Sequence, residues 1–346
     1  MYGFHAGRQH GAARPARVAG SAVVGALLLL TGCSGASDAS SDDAPEPGRQ
    51  PASQVPYWVD PDGTAAIRVS ELREEGRTEE AELIEEIARR PVAEWIGPDD
   101  PEGRTRRITE AAEKADRVAL LVLYNIPHRD CGRYSKGGAA DGDAYRAWLD
   151  GVVEGIGDRP ATVIVEPDAL PHVMDGCTPP EFHEERYALL NEAVHRLKDL
   201  PETTVYIDAG NPRWIKDPGG MVEPLRRAGI ARADGFALNV SNYQTTEENI
   251  DYGKRLSSMV GGKHFVIDTS RNGNGPVDGE EDAEAWCNPP GRALGEEPTT
   301  RTGEELVDAY LWIKRPGESD GACKGGPQAG VWWEEYALEL VRNAGK

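Results

Sequence analysis

Positive charge is scarce in this chain. Against 59 Asp and Glu it sets only 38 Lys and Arg, a formal net charge of −21. A surface of that sign repels phosphate backbones, which excludes nucleic acid as a partner, and otherwise favours solubility. The apolar run from Val18 to Leu30 is too short to span a bilayer. Metal-binding spacings are missing as well. The five cysteines form no C-x-x-C pair and the seven histidines no H-x-x-x-H pair, which argues against a zinc site. RNGNG at 271–275 is not followed by Lys-Ser or Lys-Thr, so it is not a phosphate-binding loop. His172, His183 and His195 read as surface or helix residues. No cofactor and no metal are expected.

What is present begins at the N-terminus. Arg8, Arg14 and Arg17 precede the apolar run, and Leu30-Thr31-Gly32-Cys33 follows it. A basic stretch, a short apolar stretch and small residues before a cut describe a secretory signal over 1–32. The cysteine after the small pair resembles a lipoprotein lipobox, with Cys33 as the lipid-bearing first mature residue. An ordinary signal peptide with a chance cysteine is the alternative. Residues 33–54, rich in Ser, Ala, Asp and Pro, offer almost nothing to bury and read as a disordered tether. Residues 55–346 suit one large α/β domain. Setting Cys33 aside leaves Cys131, Cys177, Cys287 and Cys323, an even set that predicts two disulfides. Three pairings are open.

The domain is organised around VIVEPDAL at 163–170. Val163, Ile164 and Val165 run without a polar break, as in a strand buried on both faces of a parallel sheet. Pro167 ends the strand and leaves Glu166 and Asp168 at its C-terminal end, the edge where such folds keep their chemistry. A helix N-cap is the competing reading of Asp168. The unit repeats. Strands are predicted at 92–96, 118–124, 162–166, 205–208, 235–240, 264–268 and 306–313, with a last strand and helix from Val331. Helices are predicted at 79–90, 106–115, 143–156, 180–197, 221–228 and 246–260. In the first, Glu85 with Arg89 and Glu86 with Arg90 have i,i+4 spacing. Alternating strands and helices give a parallel sheet of six or seven strands, with closure into a TIM-like (β/α) barrel as an inference. Its strand ends gather Tyr124, Asp130, Asp168, Asp208, Asn239, Asp268 and, later, Asp320. Trp95, Trp214 and Trp286 stand in or beside the same loops. Carboxylates among indoles suit a sugar, whose C–H faces lie flat on aromatic rings. Core filling is the other use of those tryptophans.

These strings resemble glycoside hydrolase family 6, the cellulase family. The matching segments are LYNIPHRDCGRYSKGGA (123–139), VIVEPDAL (163–170), YIDAG (206–210), ALNVSNY (237–243), VIDTSRNGNGP (266–276), WCNPPGRALG (286–295) and LWIKRPGESDGAC (311–323), in family order. The resemblance implies a distorted (β/α) barrel of about seven strands, and hydrolysis of β-1,4-glucans with inversion at the anomeric carbon, by an acid on the leaving oxygen and a water on the opposite face. By the same resemblance Asp168 is the general acid. Asp130 keeps the acid protonated and Tyr124 lies under the distorted sugar. Asp320 is the aspartate long proposed as base, and a water relayed toward Asp130 is the alternative. Ser135 holds that water, Asp208 supports the acid, Lys314 and Glu318 meet sugar hydroxyls, and Trp95, Trp214 and Trp286 are stacking platforms. Asn239 and Asn242 belong to the substrate-binding set. So does Asn211, which replaces the histidine of the family's DAGH. His128 stands where glycine is common, without a physical account.

The resemblance also implies the pairings Cys131–Cys177 and Cys287–Cys323. The short passage GESDGACKGGPQAG to the last element implies an open cleft and internal cleavage, hence an endo-β-1,4-glucanase. A cellobiohydrolase, a mixed-linkage β-glucanase and a non-catalytic glycan-binding lipoprotein are the alternatives. The expected partners are a β-1,4-glucan and, through Cys33, the outer face of the cell membrane. The chain is expected to act as a monomer.

Overall fold

The computed structural model describes residues 56–277 and 284–345. The signal segment, Cys33 and the tether lie outside the described residues. One seven-stranded parallel sheet carries the domain, with strands in sequence order: β1 Glu94–Ile96, β2 Ala119–Leu123, β3 Ala161–Val165, β4 Thr203–Asp208, β5 Gly235–Leu238, β6 His264–Asp268 and β7 Val307–Leu311. The helices are α1 Thr64–Glu74, α2 Thr78–Ala88, α3 Pro101–Lys114, α4 Gly142–Ile156, α5 Pro171–Met174, α6 His183–Lys198, α7 Val222–Arg227, α8 Thr246–Met259 and α9 Glu334–Ala344.

β2 and β3 read ALLVL and ATVIV with every residue buried, because both faces of the sheet are covered. The register stacks Leu121 on Val163 and Val163 on Val205, while Val122, Ile164 and Tyr206 align one residue on. The pleat sends these sets to opposite sides. Leu121, Val163 and Val205 pack outward against α4 and α6, with Trp148, Leu149, Leu190 and Val194. Val122, Ile164, Tyr206, Ala237, Val266 and Leu311 fill the inside of the curl. A third cluster, built on Leu72, Ile84, Trp312 and Leu340, joins α1, α2 and α9 to the end of β7. The curl does not close by a ladder: β1 and β7 meet through one bond from Ala93 N to Trp312 O at 3.0 Å and through Trp95 Nε1 to Ile313 O at 2.9 Å. The seam lies between the first and last strand.

Helix starts follow their caps. Asp100 accepts from Gly103 N ahead of α3, whose first residue is Pro101. Asp141 accepts from Ala144 N ahead of α4. Thr245 and Glu248 form a reciprocal capping box on α8. Two expectations fail and one helix goes unpredicted. The strand predicted at Val331 is a single antiparallel bridge between Glu318 and Trp332 before α9. α1 goes unforeseen, since Val69 and Leu72 alone mark its buried face. Glu85 pairs with Arg73 across the α1–α2 turn, and Arg89 turns to Glu86, where Arg90 also binds.

Candidate active site

The loops leaving the C-terminal strand ends bring the acidic residues together. Asp168 follows β3 in a turn where Glu166 has φ 47° and Asp168 φ 71°. Glu166 drives this geometry. Fully buried, its carboxylate accepts from Asn125 N (3.1 and 2.9 Å) and Ile126 N (2.9 Å), tying the end of β3 to the loop after β2. The helix-cap reading of Asp168 fails. Its backbone oxygen accepts from His172 N at 2.9 Å, and α5 has no side-chain cap. The carboxyl is free for chemistry. Burial pushes its pKa up to about 6; His172 opposes the rise, while the negative charges of Asp130, Asp175 and Asp320 add to it.

Asp130 sits in the loop after β2, pinned by the Cys131–Cys177 disulfide. Its Oδ2 accepts from Ser135 N at 2.6 Å. Burial raises its pKa above the ordinary carboxylate value, and the Ser135 amide and the charges of His172, Arg133 and Arg129 hold the rise back. Tyr124 ends β2. Its ring meets Trp95 edge-on at 4.9 Å and lies under the Arg129 guanidinium at 4.3 Å. Burial, then the Asp168 and Asp130 charges, push its hydroxyl well above its usual pKa. Asp208, at the end of β4, accepts from Asp168 N at 2.9 Å and Gly210 N at 3.3 Å. Burial and the Asp168 charge raise its pKa well above the ordinary value, while the two amides oppose the rise and tie it to the Asp168 turn.

Asp320 is built differently. Its Oδ2 accepts from Arg271 Nη1 at 2.9 Å, Tyr243 OH at 3.0 Å and Asn288 N at 3.0 Å, and Lys314 Nζ stands 3.6 Å from Oδ1. Burial works to raise its pKa, but the Arg271 and Lys314 charges with these donors outweigh it and hold the group below the ordinary value. Lys314 Nζ also donates to Ser319 O at 3.1 Å, and Glu318 receives Arg315 at 2.9 Å. The Cys287–Cys323 disulfide ties the loops on either side of Asp320. Both cystines have the pairing the family resemblance implies.

The three indoles occupy the rim. Trp95 is half-buried at the seam, Trp214 binds Asp175 through Nε1 at 3.0 Å, and Trp286 lies 6.0 Å from Tyr134. Two of the expected sugar contacts also do structural work. Asn239 is completely buried, its amide donating to Gln244 O and Asp268 O and accepting from Gln244 N. Asn211 is buried, and its Oδ1 caps its own turn at Arg213 N and Trp214 N, both 3.1 Å. Asn242 stays half-exposed with Oδ1 on Gln244 Nε2 at 3.3 Å.

Sequence reasoning missed several site residues. His172 is a helix residue, on α5, but not a surface one: it is 6 % exposed, between Asp130 and Trp214. Its i+4 spacing from Asp168 was the available signal. Arg271, Tyr243 and Asn288 all lie inside the matching strings, but their common partner Asp320 is distant in the chain and nothing local marks the contact. Tyr134 reaches across to Glu284 (2.9 Å) and lies against Gly321, where an added Cβ would fall 2.4 Å from its ring. His128, left without an account, stacks on Phe182 at 3.8 Å. Among the described residues, the one Cys/His cluster with metal-like spacing is Cys131, His172 and Cys177, and its two sulfurs are joined in the disulfide.

The chain is 46 % identical over 266 residues to Endoglucanase A of Cellulomonas fimi, covering 76 % of this chain and 56 % of that one. It is 42 % identical over 296 residues to Endoglucanase A of Thermobispora bispora, covering 84 % and 62 %. The chain therefore spans less than two thirds of the length of these two relatives. It superposes on the endoglucanase Cel6 from Mycobacterium tuberculosis, solved with methyl-cellobiosyl-4-deoxy-4-thio-β-D-cellobioside, with a TM-score of 0.78 and 45 % identity over 84 % of this chain and 98 % of that one. The family model described as Glycosyl hydrolases family 6 matches residues 52–344, and the chain belongs to that family.

Proposed function

We propose that the chain is an inverting endo-β-1,4-glucanase acting on cellulose or soluble β-glucans. The observation that carries this reading is the unequal setting of two carboxyls on one rim. Asp168 is pushed up to about 6 and is the group able to hold a proton near neutrality, while the Ser135 amide binds the ionised form of Asp130. Asp168 gives its proton to the leaving glycosidic oxygen. Tyr124 supports the sugar ring at that point, with Trp95 at its edge. The attacking water, held near Ser135, gives up its proton toward Asp130. Inversion fits this division, since it needs one acid and a separate base route with room for water between them. We assign Asp320 to a different task. A carboxylate held below the ordinary range by two cations, with three donors on one oxygen, is a weak base. It fixes the loop after β7 and adds negative charge that favours the protonated form of Asp168. Asp208 supports the acid's turn, and Lys314, Glu318, Asn242, Trp214 and Trp286 line the sugar path.

The endo mode is supported by the named endoglucanase relatives. Disulfides at both active-site loops support action outside the cell, and the segment ending at Cys33 supports lipid anchoring of a tethered domain. A Cys33→Ser chain that stays in the membrane fraction would refute the anchor. The experiment that tests the activity is NMR of the fresh product from cellohexaose. The α-anomer appears first if the reading holds; first appearance of the β-anomer, or no hydrolysis, overturns it.

A further inference from the structure

His172 is absent from the family motif strings quoted above, yet it stands at their centre. It is carried on α5, four residues after Asp168, and its side chain is 7 % exposed. Nε2 faces Asp130 Oδ1 at 3.9 Å and Nδ1 faces Asp175 Oδ2 at 3.5 Å. The buried Nδ1 has no hydrogen-bond partner. The Trp214 indole closes one side of the ring, edge-on at 4.9 Å, and its Nε1 donates to the same Asp175 Oδ2 at 3.0 Å. So little of the imidazole reaches the surface that a stacking or hydroxyl-binding role is a poor fit. Two ring nitrogens that each look at a carboxylate suit the one form of histidine that donates from both.

We propose that His172 serves as an imidazolium clamped between Asp130 and Asp175, a positioning residue that keeps Asp130 ionised while Asp168 holds its proton. The inference rests on the glycosidase reading of the site. A cation set against Asp130 favours its ionised form and also lowers Asp168, while the Asp130 charge works to raise Asp168. The ionisable groups around this cluster are Asp130, Arg129 and Arg133 from the loop after β2, Asp168 from the end of β3, Asp175 from the end of α5, and Asp320 from the loop after β7. The neighbouring Cys131–Cys177 disulfide does not titrate.

The test is His172→Gln, which keeps two polar ends and removes the charge. Loss of a nearby cation raises both carboxyls. Both limbs of the kcat/KM–pH profile on cellohexaose should therefore move upward, by about one unit. A profile that stays in place, even with a lower rate, overturns the proposal. The second measurement needs no substitution: the imidazole carbon and nitrogen shifts of the intact protein, titrated by NMR. The doubly protonated ring should persist through the active pH range, and Asp175→Asn should move its deprotonation downward. A neutral ring throughout that range overturns the clamp whatever the variant does. Absence of hydrolysis by the unsubstituted protein counts against the glycosidase reading instead, and the NMR titration still decides the clamp.

Discussion

Arg271→Met separates an anchoring role for Asp320 from a chemical one. Arg271 is fully buried. It holds Asp320 Oδ2 at 2.9 Å, donates to Ser241 O at 2.7 Å and lies 4.6 Å over the Tyr243 ring. Methionine keeps much of the volume and none of the charge. Asp320 retains Tyr243 OH, the Asn288 amide and Lys314, so its carboxylate is not abandoned outright. Removing one member of a buried pair costs about 3–5 kcal/mol, and the remaining donors place the loss toward the lower end, about 3 kcal/mol. The pH dependence has a definite sign. In the intact protein the folded-state pKa of Asp320 is depressed, so its stabilisation is present above the ordinary carboxylate value and disappears only as pH falls through the depressed one. Without Arg271, burial dominates and raises that pKa above the unfolded value. The carboxylate then destabilises the fold at neutral pH and is relieved as it protonates. Denaturant unfolding at about pH 7 and about pH 4.5 should show the deficit shrinking by roughly 1 kcal/mol or more at the lower pH. Arg271→Met/Asp320→Leu should recover part of the loss, since replacing both partners removes the uncompensated charge. A deficit below about 1 kcal/mol, or one equal at both pH values, refutes the reasoning.

Asp168→Asn should lower kcat on cellohexaose by about a thousandfold, within the 10²–10⁴ expected of a proton-transfer group, while calorimetry finds oligosaccharide binding preserved; more than about a tenth of the rate remaining removes Asp168 from the acid role. Asp130→Asn deletes a negative charge that helps raise Asp168, so the alkaline limb of kcat/KM should move to lower pH, and an unmoved limb denies that coupling. Cys131→Ser/Cys177→Ser opens a loop of 46 residues, which chain entropy values at up to about 4 kcal/mol; thermal unfolding measures the loss, and a full rate in the folded variant would show that the loop holds Asp130 without the bond.

How much of this was legible beforehand differs by level. The seven strands stood out because a parallel sheet demands burial on both faces, and ALLVL and ATVIV carry that demand in composition alone. The carboxylates followed, since their place at strand ends is fixed by the strands. α1 was not legible, because a helix buried along Val69 and Leu72 alone has too thin an apolar stripe. The Asp320 cage was not legible for another reason. Arg271 and Asp320 are 49 residues apart, Asn288 and Asp320 are 32 apart, and only the curl of the sheet makes them neighbours. His172 sat four residues from Asp168, within reach of inspection, but a four-residue helix behind Pro171 leaves no periodicity from which to infer an inward face.

The backbone explains why so many polar side chains at this rim have no direct business with a sugar. Among the described residues, eleven non-glycine residues have positive φ, and eight of them lie in the loops around the site: His128, Asp130, Cys131, Glu166, Asp168, Asn239, Ser241 and Asn288. Each such conformation costs of order 1–3 kcal/mol outside glycine and persists only where its surroundings over-determine it. The over-determination is visible. Glu166 grips two amides of the loop carrying Asp130, Asn239 bridges to Asp268 O, Asn288 donates to Gly321 O and receives Asp320 N, and the two cystines close the same loops. The strained turn at Asp168 is what turns its carboxyl away from capping α5. Buried carboxylates and amides with no role in proton transfer are thus the reason that the two carboxyls with such a role can be held in unequal surroundings, and substitutions at Glu166 or Asn288 should reach activity through the loops they hold.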